Sequence, residues 1–153
     1  MNQEQLIDRL RDRGWRLSAQ RRVVAEVLEG DNVHLSAEEI YQQARQRLDE
    51  ISQATVYNTL RELVAMQELR VVAVDDGVKR YDPNVVTAHH HLVCTNCQAL
   101  QDVHPVGDDR LGLDQQERFG FIVTGVEIVF KGVCPACQRL QDQADSQPAP
   151  VLT

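Results

Sequence analysis

Cys94-Thr95-Asn96-Cys97 and Cys134-Pro135-Ala136-Cys137 account for every cysteine in the chain. Two thiolates separated by two residues can bite one ion, and two such knuckles complete the tetrahedral four-sulfur set that structural Zn(II) prefers. Cys94, Cys97, Cys134 and Cys137 are therefore expected to hold zinc. Two disulfides or four buried thiols are the other uses of these cysteines. The N-terminal residues do not have the pattern of a secretory leader, so a reducing cytoplasmic compartment is expected, and it disfavours disulfides. A thiol switch that loses zinc on oxidation is a further reading, separated from a structural site by whether low peroxide releases the metal.

A second chemistry sits just before the first knuckle. His89 and His91 are two residues apart, and on a strand such residues share a face, so both imidazoles can reach one ion. His90 points the other way. Cys94 has the opposite parity to His91, so the histidines are expected to form a site of their own. Asp82, Asp102 and His34 are candidates to complete it. A nitrogen and oxygen set without thiolate suits Fe(II), Mn(II), Ni(II) or a Zn(II) of higher coordination number. His104 reads as a surface residue. A zinc hydrolase built on the same histidines would need a general base beside an open metal position. Asp82 or Asp102 could serve only by leaving the metal, so no enzyme is expected.

A third pattern suits a polyanion. The chain is acidic, with a formal charge of −7. That balance argues against a protein that coats nucleic acid non-specifically. Yet Arg9, Arg11, Arg13, Arg16, Arg21 and Arg22 fall in one short stretch opposed only by Asp12, which gives one basic face. Over residues 52–66, at a helical advance of about 100° per residue, Val56, Leu60, Leu63 and Val64 share one face. Tyr57, Asn58 and Arg61 gather on the adjoining exposed face. A guanidinium, an amide and an aromatic ring side by side suit guanine, adenine and thymine methyls in a major groove. Arg21 and Arg22 lie in the first turns of a helix opening at Ser18, where the helix dipole disfavours positive charge, a cost that phosphate contacts would offset. Arg16, Arg21, Tyr57, Asn58 and Arg61 are the candidate DNA-contacting residues.

The elements that must position these groups are legible in outline. Leu6, Ile7 and Leu10 mark a short opening helix that Gly14 breaks. Ser18 caps a helix with Val23, Val24, Val27 and Leu28 as its apolar stripe, ended by Gly30. Ser36-Ala37-Glu38-Glu39 is a capping box, with Leu35 and Ile40 placed for a hydrophobic staple. A fourth helix starts near Ser52. Residues 69–74 and 78–81 are strand-like around the turn Asp75-Asp76-Gly77. Helices followed by a hairpin give the order of a winged helix-turn-helix. After Pro83 the composition changes: residues 108–118 read as a helix and residues 121–130 as a long apolar strand. The expected class is α+β, with a winged-helix domain over residues 1–83, a hinge at about 83–88, a small α/β domain over 89–140 around the zinc site, and a polar, proline-punctuated disordered tail over 141–153. No apolar run is long enough to span a membrane.

With these residues in view, the chain resembles the ferric uptake regulator family of bacterial metal-dependent repressors over residues 5–138. The carrying motifs are Thr55-Val56-Tyr57-Asn58-Thr59-Leu60-Arg61, the run His89-His90-His91-Leu92-Val93-Cys94-Thr95-Asn96-Cys97, and Gly132-Val133-Cys134-Pro135-Ala136-Cys137. The resemblance implies a homodimer that binds a palindromic double-stranded operator, with the second domain as dimerisation domain. It implies a regulatory ion, Fe(II) or Mn(II), held by His34, Asp82, His89, His91 and Asp102, so that metal occupancy sets the spacing of the two reading heads. Arg80-Tyr81-Asp82, and Asn58 after the tyrosine, look like the peroxide-sensing branch. There Fe(II) would promote oxidation of a ligand histidine, here His34 or His89, whereas the Mn(II) form would bind DNA without responding. The alternative is an iron- or zinc-responsive metal-uptake repressor on the same scaffold. A further metal site of some members would fall near Ala88, His90, Asp109 and Val126, and is not expected here because Ala88 and Val126 offer no ligand. Gln67 and Gln98 stand where the family often has glycine, and a left-handed helix end at Gln67 would cost roughly 1 kcal/mol.

Overall fold

The computed structural model describes residues 5–107 and 110–146. They form two compact units that divide between Ala88 and His89.

In the first unit, α1 (Leu6–Asp12), α2 (Ala19–Val27), α3 (Ala37–Arg47) and α4 (Gln53–Ala65) pack around one apolar core. Serine caps open the last three. Ser18, Ser36 and Ser52 accept from the backbone N–H of Arg21, Glu39 and Thr55 at 3.3, 3.2 and 3.1 Å. At Ser36 the Glu39 carboxylate also takes the Ser36 N–H at 2.8 Å, which closes the expected capping box. Leu10, Leu28, Ile40, Leu60 and Leu63 are completely buried. Each contributes about 1.5–3 kcal/mol by leaving water. On α4 the buried set is Val56, Thr59, Leu60 and Leu63. Val64 is only half-buried, and Thr59 takes an inward place by bonding its hydroxyl to the Thr55 carbonyl at 2.8 Å.

The end of α4 turns through Gln67, whose φ is +61°. Gln67 N–H meets the Val64 carbonyl at 3.0 Å and Glu68 N–H meets the Leu63 carbonyl at 2.9 Å, the paired bonds of a Schellman cap. The chain then enters the wing, β2 (Arg70–Ala73) and β3 (Lys79–Asp82). Gly77 at φ +73° and the Asp76 carboxylate, which accepts the Val78 N–H at 2.9 Å, shape the turn. A strand the sequence did not announce, β1 (Leu35–Ser36), pairs with β3, so the sheet runs β1-β3-β2.

In the second unit, β4 (His90–Cys94) lies between antiparallel β5 (Leu100–Val103) and parallel β6 (Val129–Gly132), and α5 (Pro135–Asp145) follows. Three expectations are corrected. The strand expected over residues 121–130 is regular only at Val129–Gly132, because a strand needs a hydrogen-bonding neighbour and β4 supplies one only there. Of the helix expected over 108–118, the described residues show no α-helix: 111–114 are irregular and Gln115–Arg118 form a 3₁₀ turn with its side chains exposed; Asp108 and Asp109 lie outside the described residues. Residues 141–145, expected in an irregular tail, complete α5, since Pro135 at its first position starts a helix whose first proline follows only at residue 148. Residues 147–153 of that tail lie outside the described residues.

Candidate metal centres and nucleic-acid interface

The parallel pairing of β6 with β4 sets Gly132 beside Cys94, and Thr95 N–H bonds the Gly132 carbonyl at 2.8 Å. The second knuckle follows two residues later. Cys134 is the N-cap of α5, and Cys137 sits buried in its first turn. In the first knuckle the chain reverses through Gln98, at φ +63°, whose N–H returns to the Cys94 carbonyl at 2.9 Å. The four sulfurs lie within 4.8 Å of one another, and no disulfide joins them. Cys97 and Cys134 Sγ are 3.8 Å apart. Sulfurs about 2.3 Å from a tetrahedral zinc stand about 3.8 Å from each other, so the set fits that ion.

The electrostatics agree. Backbone amides of Cys97 and Cys134 hold the Cys94 thiol down to about 6; the Cys134 N–H reaches its sulfur at 3.3 Å. Hydrogen bonding to Cys134, then burial, pushes Cys137 up to about 12. Four thiols this close cannot all ionise without a cation, and a divalent ion supplies the missing charge while displacing protons.

The candidate ligands of the regulatory ion occur in both units, and strand register aligns each set. In the first unit, Leu35 pairs with Tyr81 and Ser36 with Arg80. Continuing this antiparallel register by one step places His34 across from Asp82. Their Nε2 and Oδ2 atoms are 3.8 Å apart, and both side chains are buried. The other Asp82 oxygen accepts the Asn84 N–H at 2.8 Å, which fixes the carboxylate. In the second unit, His91 pairs directly with Asp102 on β5. Asp102 Oδ1 lies 3.6 Å from His89 Nε2 and 3.7 Å from His91 Nε2. The two rings meet edge to face, with centroids 4.9 Å apart. These gaps are too long for hydrogen bonds. They match ligands about 2.1 Å from a shared ion, which stand about 3–4 Å apart.

His90 turns to the opposite face as expected, where its Nδ1 accepts the Ile128 N–H at 3.0 Å. Sequence reasoning missed Glu127, whose carboxylate lies 3.4 Å from His91 Nδ1, the nitrogen away from Asp102. At that distance the carboxylate adds negative charge beside the ring without forming a hydrogen bond to it. No signal revealed it, because the β6 register is set by long-range pairing.

The surface over α4 is built as expected. Tyr57, Asn58 and Arg61 are exposed, and Arg61 donates to the Asn58 amide oxygen. The basic stripe, in contrast, is mostly internal bracing. Arg9 and Arg13 both bind Glu68, at 2.8 and 2.7 Å, and Arg11 pairs with Asp8. Arg21 reaches Glu62 on α4 at 2.7 Å and lies over the Trp15 ring, 4.5 Å from its centroid. Trp15 donates its indole N–H to the same Glu62 carboxylate at 2.8 Å. Arg16 and Arg22 remain exposed. Spacing in sequence shows a cluster of charge but not the carboxylates it meets from 41 to 59 residues away.

Known proteins resemble this chain in sequence and fold. The model of the ferric uptake regulator family matches residues 12–130. The ferric uptake regulation protein of Synechococcus elongatus is 33% identical over 133 residues, covering 85% of this chain and 90% of its own. The peroxide-responsive repressor PerR of Staphylococcus epidermidis is 31% identical, covering 89% and 90% respectively. A solved zinc-bound manganese uptake regulator superposes with a TM-score of 0.68 at 27% identity, over 86% of this chain and 99% of that one. Winged helix, paired knuckles and family match agree: the chain belongs to the ferric uptake regulator family.

Proposed function

We propose that this protein is a metal-dependent transcriptional repressor that binds a palindromic DNA operator as a homodimer and releases it on exposure to peroxide. It is a regulator, not an enzyme, and acts in the cytoplasm. The observation that carries the reading is the pair of register-aligned donor sets, His34 with Asp82 and His89 and His91 with Asp102. In this account the five side chains share one Fe(II) or Mn(II), and the four cysteines hold a structural Zn(II). When bound, Fe(II) would activate the O–O bond of peroxide without net change at the metal. The two electrons would come from the imidazole of His34 or His89, which would gain one oxygen atom while the other leaves as water, and the altered ring would be a poorer ligand. Asp82 and Asn58 favour the peroxide branch.

Tyr57, Asn58 and Arg61 would meet base edges and Arg16 phosphates, while Arg21 acts through Glu62 and Trp15. Phe119, Phe121, Ile122 and Phe130 are exposed at 79, 76, 90 and 43%, apolar surface that a second copy would cover. No helix among the described residues is long and apolar enough to cross a membrane.

A second reading, metal-uptake repression without peroxide response, is favoured by the 33% identity to the Synechococcus elongatus protein. Anisotropy of a labelled palindromic duplex separates the two. Mn(II) and Fe(II) should both promote binding and a chelator should abolish it. Micromolar peroxide should release only the Fe(II) form under the first reading and neither form under the second.

A further inference from the structure

We propose that Arg9 is a positioning residue for Asp82, through a buried clamp that ties the metal-binding end of β3 to the C-terminal end of α4. The inference rests on Asp82 being a ligand of the regulatory ion.

Glu68, only 5% exposed, follows directly on the Schellman cap of α4. Its carboxylate is gripped from both sides: Arg9 Nε donates to Oε2 at 2.8 Å and an Arg13 terminal nitrogen to Oε1 at 2.7 Å. The two arginines then diverge. Arg13 returns to α4, donating to the Met66 carbonyl at 2.7 Å. Arg9 reaches the Pro83 carbonyl at 3.1 Å. Pro83 stands between Asp82 and Asn84, the two residues whose bond orients the Asp82 carboxylate. Proline has no N–H, so its carbonyl is the one backbone hydrogen-bonding group by which that residue can be fixed. That carbonyl also accepts the Val85 N–H at 2.9 Å, so Arg9 is the side-chain half of a two-donor grip on the turn that aims Asp82 Oδ2 at His34. A planar fork can serve Glu68 and Pro83 together; the point charge of a lysine cannot reproduce that geometry. Groups that orient a ligand in this way typically change metal affinity 10- to 100-fold.

The test is a Mn(II) titration of the full-length, zinc-loaded protein, followed by electron paramagnetic resonance of free Mn(II), with melting temperatures measured without Mn(II). Arg9→Lys should weaken Mn(II) binding about tenfold or more. Arg13→Gln breaks the same carboxylate grip, but the bonds Arg13 donates go to Glu68 and Met66 rather than to Pro83. It should lower the melting temperature yet keep Mn(II) affinity within about twofold, below the range of ligand-orienting groups. Equal effects of the two variants, large or absent, would overturn the positioning role and leave Glu68 as a structural anchor. Asp82→Ala tells the two ideas apart. If it retains full Mn(II) affinity, the ligand reading itself fails. If it loses affinity while Arg9→Lys does not, only the Arg9 proposal fails.

Discussion

His34 Nε2 and Asp82 Oδ2 stand 3.8 Å apart because a strand of only two residues, Leu35 and Ser36, pairs with β3. Ser36 has two roles, ending that strand and capping α3. One residue therefore fixes both the helix entry and the place of the imidazole before it. His91 and Asp102 have the same logic, facing each other directly across β4 and β5.

Replacing Ser36 should therefore disturb metal binding as well as stability. Ser36→Ala removes the cap and should cost about 1 kcal/mol in urea unfolding. Mn(II) affinity should fall in the same variant. Ser52→Ala, a serine cap without the reciprocal carboxylate bond and far in sequence from His34, should cost similar stability and leave Mn(II) affinity unchanged.

The Glu68 clamp predicts an acid-sensitive stability. Burial alone pushes this carboxyl up, but hydrogen bonds and charge from Arg13 and Arg9 outweigh it and hold it below the ordinary Glu value of 4.5. A carboxyl depressed on folding contributes stability that is fully present above its unfolded value and lost as pH falls through its folded value. The stability advantage of the wild type over Glu68→Gln should thus be constant above about pH 5 and shrink below it. Denaturant titrations of both proteins from pH 7 to pH 3 would show this.

Zinc binding should release protons. With Cys137 pushed up to about 12 in the metal-free cluster, at least that thiol is protonated at neutral pH and must ionise on coordination. Calorimetry in buffers of different ionisation enthalpy should show this release, and zinc affinity should fall as pH drops. Cys97→Ser should lose tight zinc and, with it, the circular dichroism of the second unit.

Arginines near the proposed DNA face should separate by role. Arg61→Ala should cost about 1–3 kcal/mol on the best operator and relax its sequence preference. Arg16→Ala should weaken binding evenly across sequences and reduce the salt slope by about 1. Arg21→Ala should act chiefly through stability, because it removes the bridge from Trp15 to Glu62.

The contrast between Arg21 and Arg61 also shows how much was legible beforehand. Helix periodicity placed Tyr57, Asn58 and Arg61 outward, because exposure on a helix is a local property. The capping box at Ser36 and the turn at Gly77 were readable for the same reason, each being closed by neighbours in sequence. Glu68, Glu62 and Glu127 were silent, because what they bind arrives from elsewhere in the chain. The apolar run over 121–130 misled for a related cause: its composition suits a strand, but only Val129–Gly132 has a partner in β4. The cysteine knuckles were the clearest signal, since their spacing alone dictates a bidentate bite.

The central claim is that peroxide acts on a ligand histidine. It is tested most directly by mass spectrometry of tryptic peptides from Fe(II)-loaded and Mn(II)-loaded protein after micromolar peroxide, with operator binding followed in parallel. The account predicts one added oxygen on His34 or His89 in the Fe(II) form alone, in step with loss of DNA binding. Unmodified histidines with DNA binding that follows metal occupancy and ignores peroxide would contradict it, and would make this protein a metal-uptake repressor.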